Sequence, residues 1–361
     1  MPALRRRRSL TASGPQPPAP NLKPPAPDPA LGYSRRVIVI PGLGTFPVGA
    51  GLVSAEVSSD RQFAVGREGV ISIVATGDRK VEFICFERHA LAFVASALGY
   101  PAYYPVRPVS LDRPVRAVLM DLDGTSVRSE EFWVWIIEQT TASLLGNPRF
   151  TLEDADLPFV AGHSVSEHLE HCIRKYCPGR SVEEARRVYF EHTHREMAEI
   201  LAGRGRANAF HPAPGLKDFL LELKGRGVQI ALVTSGLYEK AYPVILAAFR
   251  TLALGDPAAF YDAIITAGFP LRKGEPGTLG ELSPKPHPWL YAEAFRVGLG
   301  MAFDERQHAV GLEDSGAGIC AVRLAGLPAI GLAGGNIDES GARPLCHRYC
   351  GSFPEVLDVV G

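Results

Sequence analysis

The chain has 361 residues, 46% hydrophobic and 21% charged, with a formal net charge of -1, a balance typical of a globular protein long enough for more than one domain. No run of about 18 apolar residues occurs, so no membrane-spanning helix is expected. The charge is uneven: residues 1–36 carry seven basic side chains against Asp28, a balance of about +6 that leaves about -7 elsewhere, so no broad basic surface favours a nucleic acid as partner.

Residues 1–34 are rich in Pro and poor in large apolar groups. Such a segment cannot bury enough surface to offset its ordering entropy, and it is expected to be a disordered tail. The arginines at 5–8 resemble the start of a secretory signal, but Pro-rich sequence follows in place of an apolar stretch, so no signal peptide is expected. Arg and Ser without acidic residues leave a transit peptide open. Six scattered cysteines form no C-x-x-C pair. Burial as small apolar groups in a reducing cytoplasm suits them.

From residue 35 the pattern changes. Strands are predicted over 37–40, 69–75 and 80–86, and a short helix over 89–98. Gly42-x-Gly44 lacks the third glycine of a dinucleotide loop and reads as a turn. Residues 35–110 thus form a β-rich accessory unit, either a module for protein contacts or oligomerisation or an extension packed on the core. A Pro-rich linker follows at 105–114. Then short apolar runs predict five strands, over 117–120, 229–233, 263–266, 309–312 and 329–332. Helices predicted over 216–224, 238–252, 289–297 and 316–324 lie between or beside them. This alternation implies an α/β fold, a Rossmann-like parallel sheet with helices on both faces, in a domain covering 111–361. An all-helical insertion, with helices over 130–145, 165–176 and 182–202, occupies about 127–212.

Three of these strands run directly into polar groups: the first into Asp121 and Asp123, the second into Thr234 and Ser235, the fourth into Glu313 and Asp314. Lys285 lies in the loop after the third strand. Ligands of open parallel sheets bind at the carboxyl ends of the strands. Phosphoryl transfer requires a nucleophile, a hard cation held by carboxylates, a positive point charge, hydroxyl and N–H donors for the phosphate oxygens, and an acid for the leaving group. The residues named supply all of these.

The run Asp121-Leu122-Asp123-Gly124-Thr125 after a buried strand, the strand-terminal Thr234, Lys285-Pro286 and Glu313-Asp314-Ser315 together resemble the haloacid dehalogenase superfamily, in its phosphoglycolate phosphatase and β-phosphoglucomutase-like branch, over about 115–361. The resemblance implies a magnesium-dependent phosphatase, a phosphoric monoester hydrolase, acting on a small phosphorylated metabolite. It implies that Asp121 is nucleophile and metal ligand, and that Asp123 is general acid/base and a ligand through its backbone carbonyl. Thr234 would bind the transferring phosphate, helped by Ser235, Gly236 and Thr125. Lys285 would stabilise nucleophile and phosphate, and Asp314 would bind magnesium with Glu313 supporting it. The insertion matches the family's helical cap, in which His163, Ser164 and Glu130, with Trp133, would meet substrate.

Ser126 and Arg128 depart from the usual pattern after the nucleophile. Val165 stands where the mutases carry a phosphate-binding arginine, which favours a phosphatase. The alternatives are a β-phosphoglucomutase-like phosphotransferase acting on a sugar phosphate and a non-catalytic binding or scaffold protein on the same fold.

Overall fold

Short, wholly apolar runs are stable only where both faces are covered. The computed structural model, which describes residues 37–95, 100–156, 165–206, 209–268 and 282–361, has them at the centre of a parallel sheet. The expected tail at 1–34, His163, Ser164 and most of the 268–284 loop lie outside the described residues. A single contact unit spans Arg36–Gly361.

In chain order the strands are Val37–Ile40 (β1), Gly44–Pro47 (β2), Val53–Ala55 (β3), Ser72–Ala75 (β4), Val81–Cys85 (β5), Ala90–Val94 (β6), Ala102–Pro105 (β7), Ala117–Asp121 (β8), Val127–Arg128 (β9), His211–Pro212 (β10), Gln229–Thr234 (β11), Ala263–Thr266 (β12), Ala309–Glu313 (β13), Ala329–Leu332 (β14) and Arg348–Cys350 (β15). The core sheet has the order β12-β11-β8-β13-β14-β15, every pair parallel. β8 is central, and Ala117 through Met120 are wholly buried. Side chains alternate across a strand, and the central strands divide accordingly. Val118 and Met120 with Ile230 and Leu232 join the layer that includes the cap residues Phe132, Ile136 and Tyr189. Ala117 and Leu119 with Ala231 and Val233 join a second layer that includes Phe83, Ala92 and Tyr104 of the accessory strands.

That accessory region is an antiparallel five-stranded sheet, β3-β4-β5-β6-β7, preceded by the hairpin β1-β2. Period-two patterning is visible in β5: Val81, Phe83 and Cys85 face the core layer, and Ile84 faces a small outer cluster with Ile73 and Phe93. Gly42 (φ 87°) and Gly44 (φ 134°) bound the β1-β2 turn. On the core side, helix Gly316–Leu324 lies so close to β13 that a Cβ on Gly311 would come within 2.3 Å of Val322 Cγ2.

The insertion folds as helices Glu130–Leu145, Val165–Tyr176 and Val182–Leu201. Ser181 caps the third by accepting from Glu184 N–H at 3.1 Å. Asp156 ties the second to the chain before it, accepting from Lys175 Nζ and pairing with His171 Nε2, both at 2.7 Å, and accepting from the Tyr176 hydroxyl.

Several expectations need correction. In place of the helix expected from residue 89, Ala90–Val94 is a strand paired on both sides, because its apolar residues are needed by a two-faced sheet, and tertiary context overrides the helix preference of Ala and Leu; residues 96–98 of that expectation lie outside the described residues. The proposed linker begins inside structure, since its first residue, Pro105, belongs to edge strand β7. The insertion is not wholly helical at its base, where β9 and β10 form a two-residue antiparallel ribbon. The core sheet has a sixth strand, β15, whose Arg-Tyr-Cys sequence carries no apolar run because it lies at the edge. Helix 289–297 divides into an α-helical part, Trp289–Glu293, and a π turn, Ala294–Gly298. All six cysteines are free, five of them buried. No helix among the described residues is long and apolar enough to cross a membrane.

Candidate active site

Parallel pairing brings the ends of β8, β11 and β13 to one rim, and with them the polar residues that end each apolar run. After β8 the chain turns tightly. Ser126 and Val127 donate their N–H groups to Leu122 O at 2.9 and 2.8 Å, and Gly124 N–H donates to Val127 O at 2.8 Å. Gly124 has φ 89°, and a Cβ there would lie 2.0 Å from Asp314 Oδ2, so only glycine fits both the turn and the neighbour. The turn leaves Asp121 buried at 6% exposure and Asp123 open to solvent. The Ser126 hydroxyl donates to Asp121 O at 2.5 Å, and the Ser129 hydroxyl donates to Asp123 Oδ1.

Lys285 reaches this rim from its own loop. Its Nζ forms a close ion pair with Asp121 Oδ1, stands 2.6 Å from Glu313 Oε1, and donates to Val233 O at 3.1 Å. Its backbone N–H donates to Ser235 Oγ at 3.1 Å. Glu313 is wholly buried, and its other contacts are donors too: the Tyr291 hydroxyl at 2.6 Å and the Ser315 hydroxyl at 3.0 Å. Asp314 Oδ1 accepts from the Thr125 hydroxyl at 3.2 Å. Thr234 Oγ1 accepts from Gly236 N–H at 3.0 Å. Carboxylate oxygens of Asp121, Glu313 and Asp314 all lie within 4.8 Å of one another.

Three buried carboxylates therefore share one ammonium. Burial, then the charges of Glu313 and Asp314, push Asp121 well above the usual carboxylate range, against the pull of Lys285. Burial and Glu313 raise Asp314 to about 7. Burial alone would lower Lys285, but the two carboxylates in contact with it outweigh that and hold it above the ordinary lysine range. These directions agree: the cluster carries surplus negative charge, keeps the lysine charged, and takes up a proton unless another cation is present. Hard oxygen donors, an excess of negative charge and room beside Asp314, where Gly124 and Gly335 lack Cβ atoms, suit a divalent cation of the magnesium type.

Asp121, Thr125, Lys285, Glu313 and Asp314 thus meet in one cluster. Ser235 holds the lysine backbone, and Thr234 and Gly236 stand at the end of the adjoining strand. Glu130 is exposed at the first turn of the cap helix and has no part in the contacts that knit the cluster. Sequence reasoning missed Tyr291, Ser315 and Ser129. Ser315 directly follows the acidic pair and could have been read as its donor, whereas Tyr291 left no signal, because helix Trp289–Glu293 gives no hint that its hydroxyl points to β13. Also missed was the cap-to-core contact in which Lys240 Nζ sits 4.0 Å from the Trp133 ring centroid and 3.1 Å from the Tyr189 hydroxyl.

A family model for haloacid dehalogenase-like hydrolases matches residues 115–326. Among solved structures, CbbY from Rhodobacter sphaeroides, determined with phosphate, is 24% identical, covering 67% of this chain and 96% of its own, with a TM-score of 0.47. A predicted phosphoglycolate phosphatase from Haemophilus somnus is 18% identical, covering 69% and 99%, with a TM-score of 0.49. A putative β-phosphoglucomutase from Thermotoga maritima is 19% identical, covering 68% and 98%, with a TM-score of 0.48.

Proposed function

The chain belongs to the haloacid dehalogenase-like hydrolase family, and on that premise we propose that it hydrolyses a small phosphate monoester by way of an aspartyl-phosphate on Asp121. The observation that carries this reading is the convergence of Asp121, Lys285, Glu313 and Asp314 within contact distance at the carboxyl end of one sheet. In this account Asp121 attacks phosphorus and the ester oxygen leaves with a proton from Asp123, which the Ser129 hydroxyl orients. Asp123 then takes a proton from the water that hydrolyses the acyl phosphate. Lys285 offsets the repulsion between carboxylate and phosphate, and Glu313 keeps its ammonium in place. Thr234, Thr125 and the Ser235 N–H hold the equatorial oxygens of the transferring phosphoryl group. Magnesium would be held by Asp121, Asp314 and the Asp123 carbonyl, with Glu313 in support, and would supply charge neutralisation at the phosphate.

Substrate choice belongs to the cap, through Glu130, His163 and Ser164, the last two outside the described residues. The substrate is a small phosphorylated metabolite, the setting the cytoplasm, and the domains are the tail, the accessory sheet and the capped core. Purified protein, incubated with magnesium and a panel of phosphate esters, is expected to release inorganic phosphate from at least one. With glucose 1-phosphate, free phosphate indicates hydrolysis and glucose 6-phosphate indicates transfer. Absence of phosphate release across the panel would reject the proposal.

A further inference from the structure

The accessory sheet has no part in the reading above, yet it reaches the loop that bears Lys285 and a second loop that packs against Asp314. On one side is Tyr104 of β7, which is 9% exposed. Its hydroxyl lies 2.7 Å from His287 Nδ1, and the two rings meet edge to face, centroids 5.8 Å apart. His287 is 1% exposed and two residues beyond Lys285, in a turn closed by its own N–H donating to Pro284 O at 3.1 Å. Among the described residues His287 Nε2 has no hydrogen-bond partner, so the Tyr104 hydroxyl is the polar anchor of that imidazole. On the other side, the chain around Gly51 and Gly77 packs directly on Ser340 and Gly341. A Cβ on Gly51 would lie 2.7 Å from Gly341 Cα, and Asp78 N–H donates to Ser340 O at 3.3 Å. That loop runs back to Gly335, where a Cβ would lie 2.3 Å from Asp314 O, and to Asn336, which accepts from Gly316 N–H at 3.0 Å.

A lysine has a long flexible stem, so the place of its ammonium depends on how firmly its backbone is held. Here the backbone is held from the core by Ser235 and from the accessory sheet through His287. We propose that Tyr104 is a positioning residue of the active site: by anchoring His287 it fixes the loop that presents Lys285 between Asp121 and Glu313, so the N-terminal sheet is a working part of the enzyme. The proposal rests on the phosphatase reading of the site. Displacing a reacting group by about 1 Å can cost on the order of 10²-fold in rate, and loss of one anchor of two costs less than that.

The test uses the full chain with p-nitrophenyl phosphate and magnesium, and compares wild type, Tyr104→Phe, Tyr103→Phe, Lys285→Ala and the double variant Tyr104→Phe/Lys285→Ala. Tyr103→Phe removes a hydroxyl one position away, on the opposite face of β7, where it donates to Asp60. Thermal unfolding of each variant verifies that it is folded at the assay temperature. Orthovanadate affinity by calorimetry accompanies turnover, so that variants with little activity still give a reading. Tyr104→Phe is expected to lower kcat/KM and weaken vanadate binding by about 5- to 20-fold, within the bound set by misplacement. Tyr103→Phe should stay within about twofold of wild type, and Tyr104→Phe should add nothing once Lys285 is gone, because residues acting through one another are not additive. Equal losses in the two tyrosine variants would overturn the proposal, as would the same fold-loss in the Lys285→Ala background or a Tyr104→Phe protein indistinguishable from wild type. An inactive wild type would instead remove the phosphatase reading, and the proposal with it.

Discussion

Replacing Lys285 by Met tests the electrostatic account without assuming any substrate. The substitution keeps most of the stem's volume and removes the ammonium that contacts Asp121 and Glu313 in a site where the lysine side chain is 6% exposed. Breaking a buried ion pair by deleting one partner costs about 3–5 kcal/mol, because the other charge is left uncompensated. Here two carboxylates lose their counter-charge and Asp314 stands beside them, so the upper half of that range is expected at pH 8. The loss should shrink as pH falls. Asp121 and Asp314 are already raised by burial and by the charges beside them, and without the ammonium that opposes this they protonate higher still, after which less charge remains to be compensated. Urea unfolding of wild type and Lys285→Met at pH 8, 7 and 5.5, without and then with millimolar magnesium, measures this directly. Magnesium should recover part of the loss at pH 8 and little at pH 5.5. A difference below about 0.5 kcal/mol, the range of ordinary surface substitutions, or one that does not vary with pH, would refute the reasoning.

Other outcomes follow from the same geometry. Asp314 is raised to about 7, so protons compete with a cation below that value. The stabilisation given by a fixed magnesium concentration should fall by up to about 1.4 kcal/mol per pH unit between pH 7 and 5.5, read as a shrinking thermal shift. In metal-free protein the sign is opposite. The folded pKa exceeds the unfolded value of 3.8, so this group's contribution to stability declines as pH rises from about 4 to 7. Gly124→Ala should cost about 1–2 kcal/mol for the left-handed backbone, and more through displacement of Asp314. Magnesium binding, measured by calorimetry, should be lost while the far-ultraviolet circular dichroism is retained. Asp156→Ala removes an acceptor of three side-chain donors in the cap and should cost about 1.5–3 kcal/mol. Hydrogen exchange should quicken in helix Val165–Tyr176 and stay unchanged in β8 and β13.

The central sheet was legible because its strands are short and apolar and three of them run directly into polar groups, a pattern that a covered parallel sheet explains. β15 and β7 were not. An edge strand needs no apolar run, and Pro105, which ends β7, reads with the prolines after it as the start of a linker. The segment 90–94 was misread because Ala and Leu favour a helix locally, and only its pairing partners, 81–85 and 102–105, decide otherwise. At the site, the carboxylates and Lys285 were visible as types and in order. The groups that hold them were not. Tyr291 and His287 act through contacts made by a helix and a loop whose relative placement no local pattern encodes, and Tyr104 lies 183 positions from its partner.

The assay that bears most directly on the proposed chemistry is phosphate release by Asp121→Asn. With p-nitrophenyl phosphate and saturating magnesium, this near-isosteric variant should remain folded and release no phosphate above background. Turnover equal to wild type would contradict the assignment of Asp121 as nucleophile.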